Sequence, residues 1–279
     1  MTKKGKNMKI LFIGDVVAAP GRKALADHLP DLKKTLKPDS VIVNGENSAH
    51  GIGITPKIAD EIFEMGVNCI TGGNHSFDKR DIVPYMADQP AIIRPLNYPQ
   101  GTPGNGVYSY RDCNGKYVTV INAMARLFLD CFLDCPFRGL DKVLDQVKLG
   151  QGTDAIIVDF HGEATSEKLA FANYLDGRVT AVLGTHTHIP TADHRILPKG
   201  TAYQTDVGMT GCYESIIGMD KKVPIQGFVE NLRDGRLEPA EGKGTICGTL
   251  VETDDKTGLA TKITPVRYGS GEYISVTHQ

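Results

Sequence analysis

A layered α/β fold, a sheet of largely buried strands with helices packed outside, is what this sequence predicts, and two observations predict it. Short apolar or β-branched runs recur along the chain, and most are followed by a glycine- or asparagine-containing loop and then an amphipathic stretch. The runs are too continuous to alternate with polar residues, which suits strands covered on both faces.

The expected strands are 9–13 (KILFI), 40–44 (SVIVN), 67–72 (VNCITG), 91–94 (AIIR), 117–122 (YVTVIN), 154–160 (DAIIVDF) and 179–184 (VTAVLG). Between them, 22–36, 56–65 and 166–175 carry helical periodicity. Thr55 followed by Pro56 reads as an N-cap with proline at the first helical position, and Thr165 or Ser166 with Glu167 and Lys168 starts another helix. Beyond residue 184 the pattern changes. Residues 245–254 and 259–268 flank the turn DDKTG as a β-hairpin, and 201–206 is a further short strand; these extend one sheet or build a second. No linker or repeat interrupts the chain, so the expected organisation is a flexible tail at 1–7 and a single domain over 8–279.

The 279 residues are 41% hydrophobic and 23% charged, with a formal net charge of −2. No apolar run approaches the roughly 18 residues of a membrane span, and no basic run offers a nucleic-acid footprint. The expectation is therefore a cytoplasmic protein with no membrane contact and no stable nucleic-acid complex, with homo-oligomerisation left open. The basic start, MTKKGKNMK, lacks the apolar stretch and cleavage site of a secretory signal. Six cysteines contain no CxxC pair, which favours reduced, buried or incidental thiols over a structural zinc site.

Five polar clusters fall just past predicted strand ends: Gly14-Asp15, Gly45-Glu46-Asn47, Gly73-Asn74-His75, Phe160-His161-Gly162-Glu163 and Gly184-Thr185-His186-Thr187-His188. The crevice outside strand carboxyl ends is where α/β sheets bind ligands, so the chain delivers these groups to one place. Carboxylates, imidazoles and amide oxygens without thiolates suit borderline divalent ions such as Mn²⁺, Fe²⁺ or Zn²⁺. About seven ligands exceed what one ion takes, and two ions bridged by one carboxylate would use them all. On an extended segment His186 and His188 point to the same side. Several of the 31 glycines precede or join these groups, where the backbone must turn and approach the ions closely.

The segments GDVV (14–17), NGENSAHGIGIT (44–55), GGNHSFD (72–78), DFHGEATSEK (159–168), GTHTHIPTAD (184–193) and TDVGMTG (205–211) resemble the YmdB-like phosphodiesterases, within the calcineurin-like metallophosphoesterases. The resemblance implies a layered α/β/β/α sandwich of two sheets flanked by helices. It implies that Asp15, Glu46, Asn47 and His188 hold one ion, that Asn74, His161 and His186 hold a second, and that Glu46 bridges them. His75 would be the catalytic histidine. The wider superfamily has a histidine where Val17 stands and an aspartate where Glu46 stands; both departures belong to the narrower group.

The implied function is a dinuclear, metal-dependent (Fe, Mn or Zn) phosphodiesterase acting on small nucleotide diesters, such as 2′,3′- or 3′,5′-cyclic nucleotides. A metal-bridging hydroxide would attack phosphorus while His75 assists the leaving group. The alternatives are a phosphomonoesterase or nucleotidase with the same centre, and a regulatory metal-binding protein acting through partners. His50 and Arg126 are candidate substrate contacts. Asp78 orients His75 or caps a helix. His28, His194 and His278 read as helix surface, strand flank and tail. The stretch around Phe128–Phe137 is expected to be core, with a hydrophobic lid or an oligomer contact as alternatives.

Overall fold

Ile10 and Phe12 point to one side of their strand and Leu11 and Ile13 to the other, and all four are fully buried, so this strand must be covered twice. The computed structural model, which describes residues 7–232 and 234–269, does this with two packed sheets and two outer helical layers. In chain order the first elements are β1 (Lys9–Ile13), α1 (Ala18–Leu36), β2 (Ser40–Asn44), α2 (Pro56–Glu64), β3 (Cys69–Thr71) and α3 (Ile82–Asp88). The middle of the chain forms β4 (Val107–Arg111), β5 (Tyr117–Met124), α4 (Pro136–Gln146), the short strands β6 (Lys148–Leu149) and β7 (Gly152–Thr153), β8 (Ala155–His161), α5 (Thr165–Leu175) and β9 (Ala181–Thr185). The remainder is β10 (Arg195–Ile196), β11 (Ala202–Gln204), α6 (Lys222–Glu230), β12 (Thr245–Thr253) and β13 (Ala260–Gly269).

One sheet has the order β13-β12-β1-β2-β3 and the other β10-β11-β9-β8-β5-β4. The hairpin β12–β13 pairs antiparallel and extends the first sheet, with Leu11 opposite Leu250. The short strand at 202–204 extends the second sheet, parallel to β9. Between the sheets lie Ile10, Phe12 and Ile42 from one side and Val118, Val120, Ile157 and Leu183 from the other. Leu11, Ile13, Val41 and Val43 instead pack on Leu25, Leu29 and Ile62 of α1 and α2. Ile121, Ile156 and Val158 pack on Leu140 of α4 and Phe171 of α5. Each such large side chain contributes about 1.5–3 kcal/mol by leaving water, so the four-layer stacking follows from period-two strands that are apolar on both faces. This is the expected α/β/β/α sandwich.

Thr55 Oγ1 accepts the Ile58 N–H at 3.4 Å with Pro56 in the first turn, as the sequence predicts. Helix α1 begins earlier than expected, at Ala18, and Ala164 rather than Thr165 or Ser166 is the N-cap of α5. The run 91–94 is not a strand: flanked by Pro90 and Pro95, it forms a single bridge, Ile70 to Ile92. Helices α3, α4 and α6 and strand β4 lie in segments where no element is expected from the sequence. The expectation of core around Phe128–Phe137 is corrected. Phe128 and Phe132 are 83% and 96% exposed, because the chain leaves the sheet after β5 and runs over the surface before α4. His28 packs its ring edge-on to Tyr268, His194 is exposed beside β10, and His278 and the tail residues 1–6 lie outside the described residues. No helix among the described residues is long and apolar enough to cross a membrane, and all six cysteines are free.

Candidate metal centre

Four parallel strands, β1, β2, β8 and β9, and the short β3 all end at one edge of the sandwich, and each ending carries one of the polar clusters. Met124 of β5 stands in register with His161 of β8, so β5 ends there too. The sheets thereby deliver Asp15, Glu46, Asn74, His161 and His186 to one point from distant parts of the chain.

The centre of the cluster is His161 Nε2. Glu46 Oε1 lies 3.0 Å from it, Asn74 Oδ1 2.8 Å and His186 Nδ1 3.0 Å. A ring nitrogen carries at most one hydrogen, which cannot serve three acceptors at once. Glu46, His161 and His186 can each turn one donor atom into a group spanning no more than 4.8 Å. The tautomer supports this use of Nε2, since His161 Nδ1 lies 2.9 Å from Thr185 Oγ1, whose hydroxyl donates to Asp159 Oδ1 at 2.7 Å. Nδ1 therefore donates to Thr185, and Nε2 is the nitrogen at which a cation would take the place of a proton.

A second group adjoins the first. Asp15 is fully buried; its Oδ2 accepts the His186 N–H at 3.2 Å, and its Oδ1 has no hydrogen-bond partner. His188 Nε2 lies 4.0 Å from that orphaned oxygen, while His188 Nδ1 donates to the Ile217 carbonyl at 2.8 Å. Asn47 repeats the pattern, its Nδ2 donating to the Gly51 carbonyl at 3.0 Å and its buried Oδ1 unpartnered. Buried acceptors without a donor are costly and rare. The orphaned Asp15 oxygen facing an imidazole nitrogen fits a divalent cation, as does the hard-to-borderline chemistry of the whole set.

The electrostatics favour positive charge here. Burial would push the His161 imidazole down, but Glu46 first and then Asp15 and Asp159 hold it up at about 9. Burial alone would raise Glu46, yet His161 and the His75 backbone N–H draw it down to about 2. Asp15 is raised by burial, partly offset by His188 and His161. Burial and the neighbouring His161 push His186 down to about 3, leaving it a neutral donor of lone pairs.

His75 stands outside the ligand cluster. Its backbone N–H donates to Glu46 Oε2 at 3.2 Å, and its Nδ1 lies 2.7 Å from Asp78 Oδ2. Of the two readings of Asp78, orienting the imidazole is the observed one, since α3 begins after Asp81. His50 pairs with Glu238 at 2.9 Å on the surface, and the Arg126 side chain is exposed at the end of β5. One geometric expectation fails: His186 and His188 do not lie on an extended segment. Both have positive φ, 100° and 68°, in a turn beyond β9 that aims one toward His161 and Glu163 and the other toward Asp15.

The turn is held from below by groups the sequence reading does not single out. Lys168 of α5, 1% exposed, donates to the Thr185 carbonyl at 2.7 Å and to Asp206 at 3.0 Å. Asp206 in turn accepts from the Thr187 N–H and hydroxyl and from the Gly208 N–H. The Thr210 N–H donates to the Asp15 carbonyl at 2.8 Å, which explains why TDVGMTG belongs with the site. Asp159, raised by burial to about 7, accepts from Thr71 and Asn44 and so joins the two sheets beneath the cluster. A charged residue inside DAIIVDF was the available signal for it. Among the glycines, Gly73 meets the expectation of close approach, since a Cβ there would stand 2.1 Å from Glu46 Oε2 and 2.5 Å from His161 Nε2. Gly14 and Gly184 instead make room for the 205–208 backbone.

The family profile of YmdB-like proteins matches residues 11–266. A 2′,3′-cyclic-nucleotide 2′-phosphodiesterase of Bacillus subtilis (strain 168) is 50% identical over 256 residues, 92% of this chain and 95% of that one. The crystal structure of a hypothetical protein from Thermus thermophilus superposes with a TM-score of 0.87 at 42% identity, covering 95% of this chain and 100% of that chain. That of a novel phosphatase from Mycoplasma pneumoniae gives 0.87 at 35% identity, covering 95% and 94%. Matched over nearly its whole length and through every strand end that carries the cluster, this chain belongs to the YmdB-like protein family.

Proposed function

We propose that this chain is a metal-dependent phosphodiesterase that hydrolyses small nucleotide diesters, with 2′,3′- or 3′,5′-cyclic nucleotides as its substrate class. The observation that carries the reading is the convergence of Glu46, Asn74 and His186 on His161 Nε2 beside the orphaned oxygen of Asp15. The likeness to the Bacillus subtilis phosphodiesterase supports the diester specificity.

In this reading Asn74, His161, His186 and Glu46 would hold one ion, and Asp15, Asn47 and His188, with Glu46, would hold a second. Divalent iron, manganese or zinc bound there would neutralise phosphate charge and acidify water. The protein's own part is to hold these donors in place before substrate arrives, through the Thr185–Asp159 and Lys168–Asp206 contacts beneath them. His75, its Nδ1 fixed by Asp78, uses Nε2 to deliver a proton to the leaving alkoxide. Arg126 and His50 are rim groups for the substrate phosphate. A cytoplasmic location, consistent with six free thiols, belongs to the same proposal.

Metal-loaded protein should cleave bis(p-nitrophenyl) phosphate and leave p-nitrophenyl phosphate nearly untouched. The reverse preference turns the assignment into a phosphomonoesterase.

A further inference from the structure

The loop between β5 and α4 begins at the metal cluster and is built to hold its position. The Ala125 N–H donates to the His161 carbonyl at 2.8 Å, so the loop starts beside a proposed ligand. The next two backbone N–H groups, of Arg126 and Leu127, converge on the Glu167 carboxylate at 2.9–3.1 Å. Asn97 ties both ends together. Its Nδ2 donates to the carbonyls of Met124 and Asp134, and its Oδ1 accepts the Met124 N–H. The far end of the loop returns to the same place: the Asp134 N–H donates to the Asn97 carbonyl at 2.8 Å, and the hydroxyl of the adjacent Tyr98 lies 3.5 Å from the Gly73 carbonyl.

Despite this anchoring the loop leaves its rings in solvent. Leu127, Phe128 and Phe132 are 50%, 83% and 96% exposed. Phe128 also holds a φ of 63°, a conformation unfavourable for a bulky residue. Isolated apolar side chains are ordinary on a protein surface, but these three share one short stretch of a loop tied down beside the cluster. A partner that reaches both the rings and the cluster is a substrate with a phosphodiester at one end and a flat apolar group at the other.

We propose that Phe128 and Phe132 form an aromatic platform on which the base of the nucleotide substrate stacks while its phosphate lies at the metal cluster. The inference rests on the phosphodiesterase reading and makes it more specific, since the site then selects base-bearing diesters over baseless ones. Stacking tolerates any base because each presents a π-face, so purine and pyrimidine substrates should both benefit.

The test compares kcat/KM for 2′,3′-cyclic AMP and for glycerol 1,2-cyclic phosphate, which has the same cyclic ester and no base. Phe128→Ala, Phe132→Ala and the double variant should lower the ratio of the two by about 5- to 100-fold, mainly through KM for the nucleotide. An unchanged ratio in all three variants, with wild type active on both esters, overturns the platform and leaves the phosphodiesterase reading standing. Wild type inactive on both esters overturns that reading and the platform with it. Light scattering is run on the same samples: an unchanged ratio together with a lower molar mass in the double variant assigns the rings to contact between copies and likewise overturns the platform.

Discussion

Lys168→Met isolates the support beneath the histidine turn. Methionine keeps the aliphatic stem that α5 buries and removes the ammonium that bonds the Thr185 carbonyl and Asp206. Removing one member of a buried ion pair costs about 3–5 kcal/mol, because the other charge is left uncompensated. Asp206 retains donors from Thr187 and Gly208 at 2.8–3.0 Å, which argues for the lower end, about 3 kcal/mol. At roughly 2–4 °C per kcal/mol for a chain of this size, Tm falls by about 6–12 °C. The turn that carries His186 and His188 loses its anchor in the same step, so metal retained through gel filtration should fall. Thermal unfolding by circular dichroism, paired with metal analysis by plasma mass spectrometry, reads both effects. Lys168→Met/Asp206→Asn removes the leftover charge and should recover part of the stability but not the metal. A shift of under about 2 °C with full metal content would refute the reasoning, since no buried pair of the expected strength would then have been lost.

Gly73→Ala drives a methyl against Glu46 and His161 and should weaken metal binding by about 10- to 100-fold, measured by competition with a chromogenic chelator; unchanged affinity would mean that the loop yields. His75→Ala should keep its metal and lose about 10²- to 10⁴-fold in kcat, so loss of metal together with activity would move His75 into the ligand set. Phe171→Ala removes a ring stacked on Phe160 at 3.8 Å, and should cost about 3–5 kcal/mol in chemical denaturation, with a smaller loss showing that α5 closes over the gap.

The strand ends were the most legible part of this protein. Apolar runs such as SVIVN and DAIIVDF declare buried strands by composition alone, and the polar cluster after each one needs only the rule that parallel strands end together. What the sequence concealed is long-range. Lys168 looks like any helix-surface lysine until Thr185 and Asp206, 17 and 38 residues away, supply acceptors for it. The positive φ of His186 and His188 is likewise imposed by partners outside the turn, so a local reading extends the strand through them. The loop after β5 misled by composition, because Leu129–Phe137 is apolar enough for core, while the buried Asn97 ties the loop's ends and its middle runs over the surface. The short helices α3 and α6 carry no side-chain cap, which removed the signal that located α2 through Thr55 and Pro56.

The most direct measurement is turnover of 2′,3′-cyclic AMP by chelator-stripped protein, followed as Mn²⁺, Fe²⁺ or Zn²⁺ is added back anaerobically. Stripped protein should be silent, at least one ion should restore hydrolysis, and Asp15→Asn and His161→Asn should stay silent at the same ion concentration. Full turnover by metal-free protein, or stoichiometric metal binding that restores no diester cleavage, would contradict the assignment of this cluster as the seat of a metal-dependent phosphodiesterase.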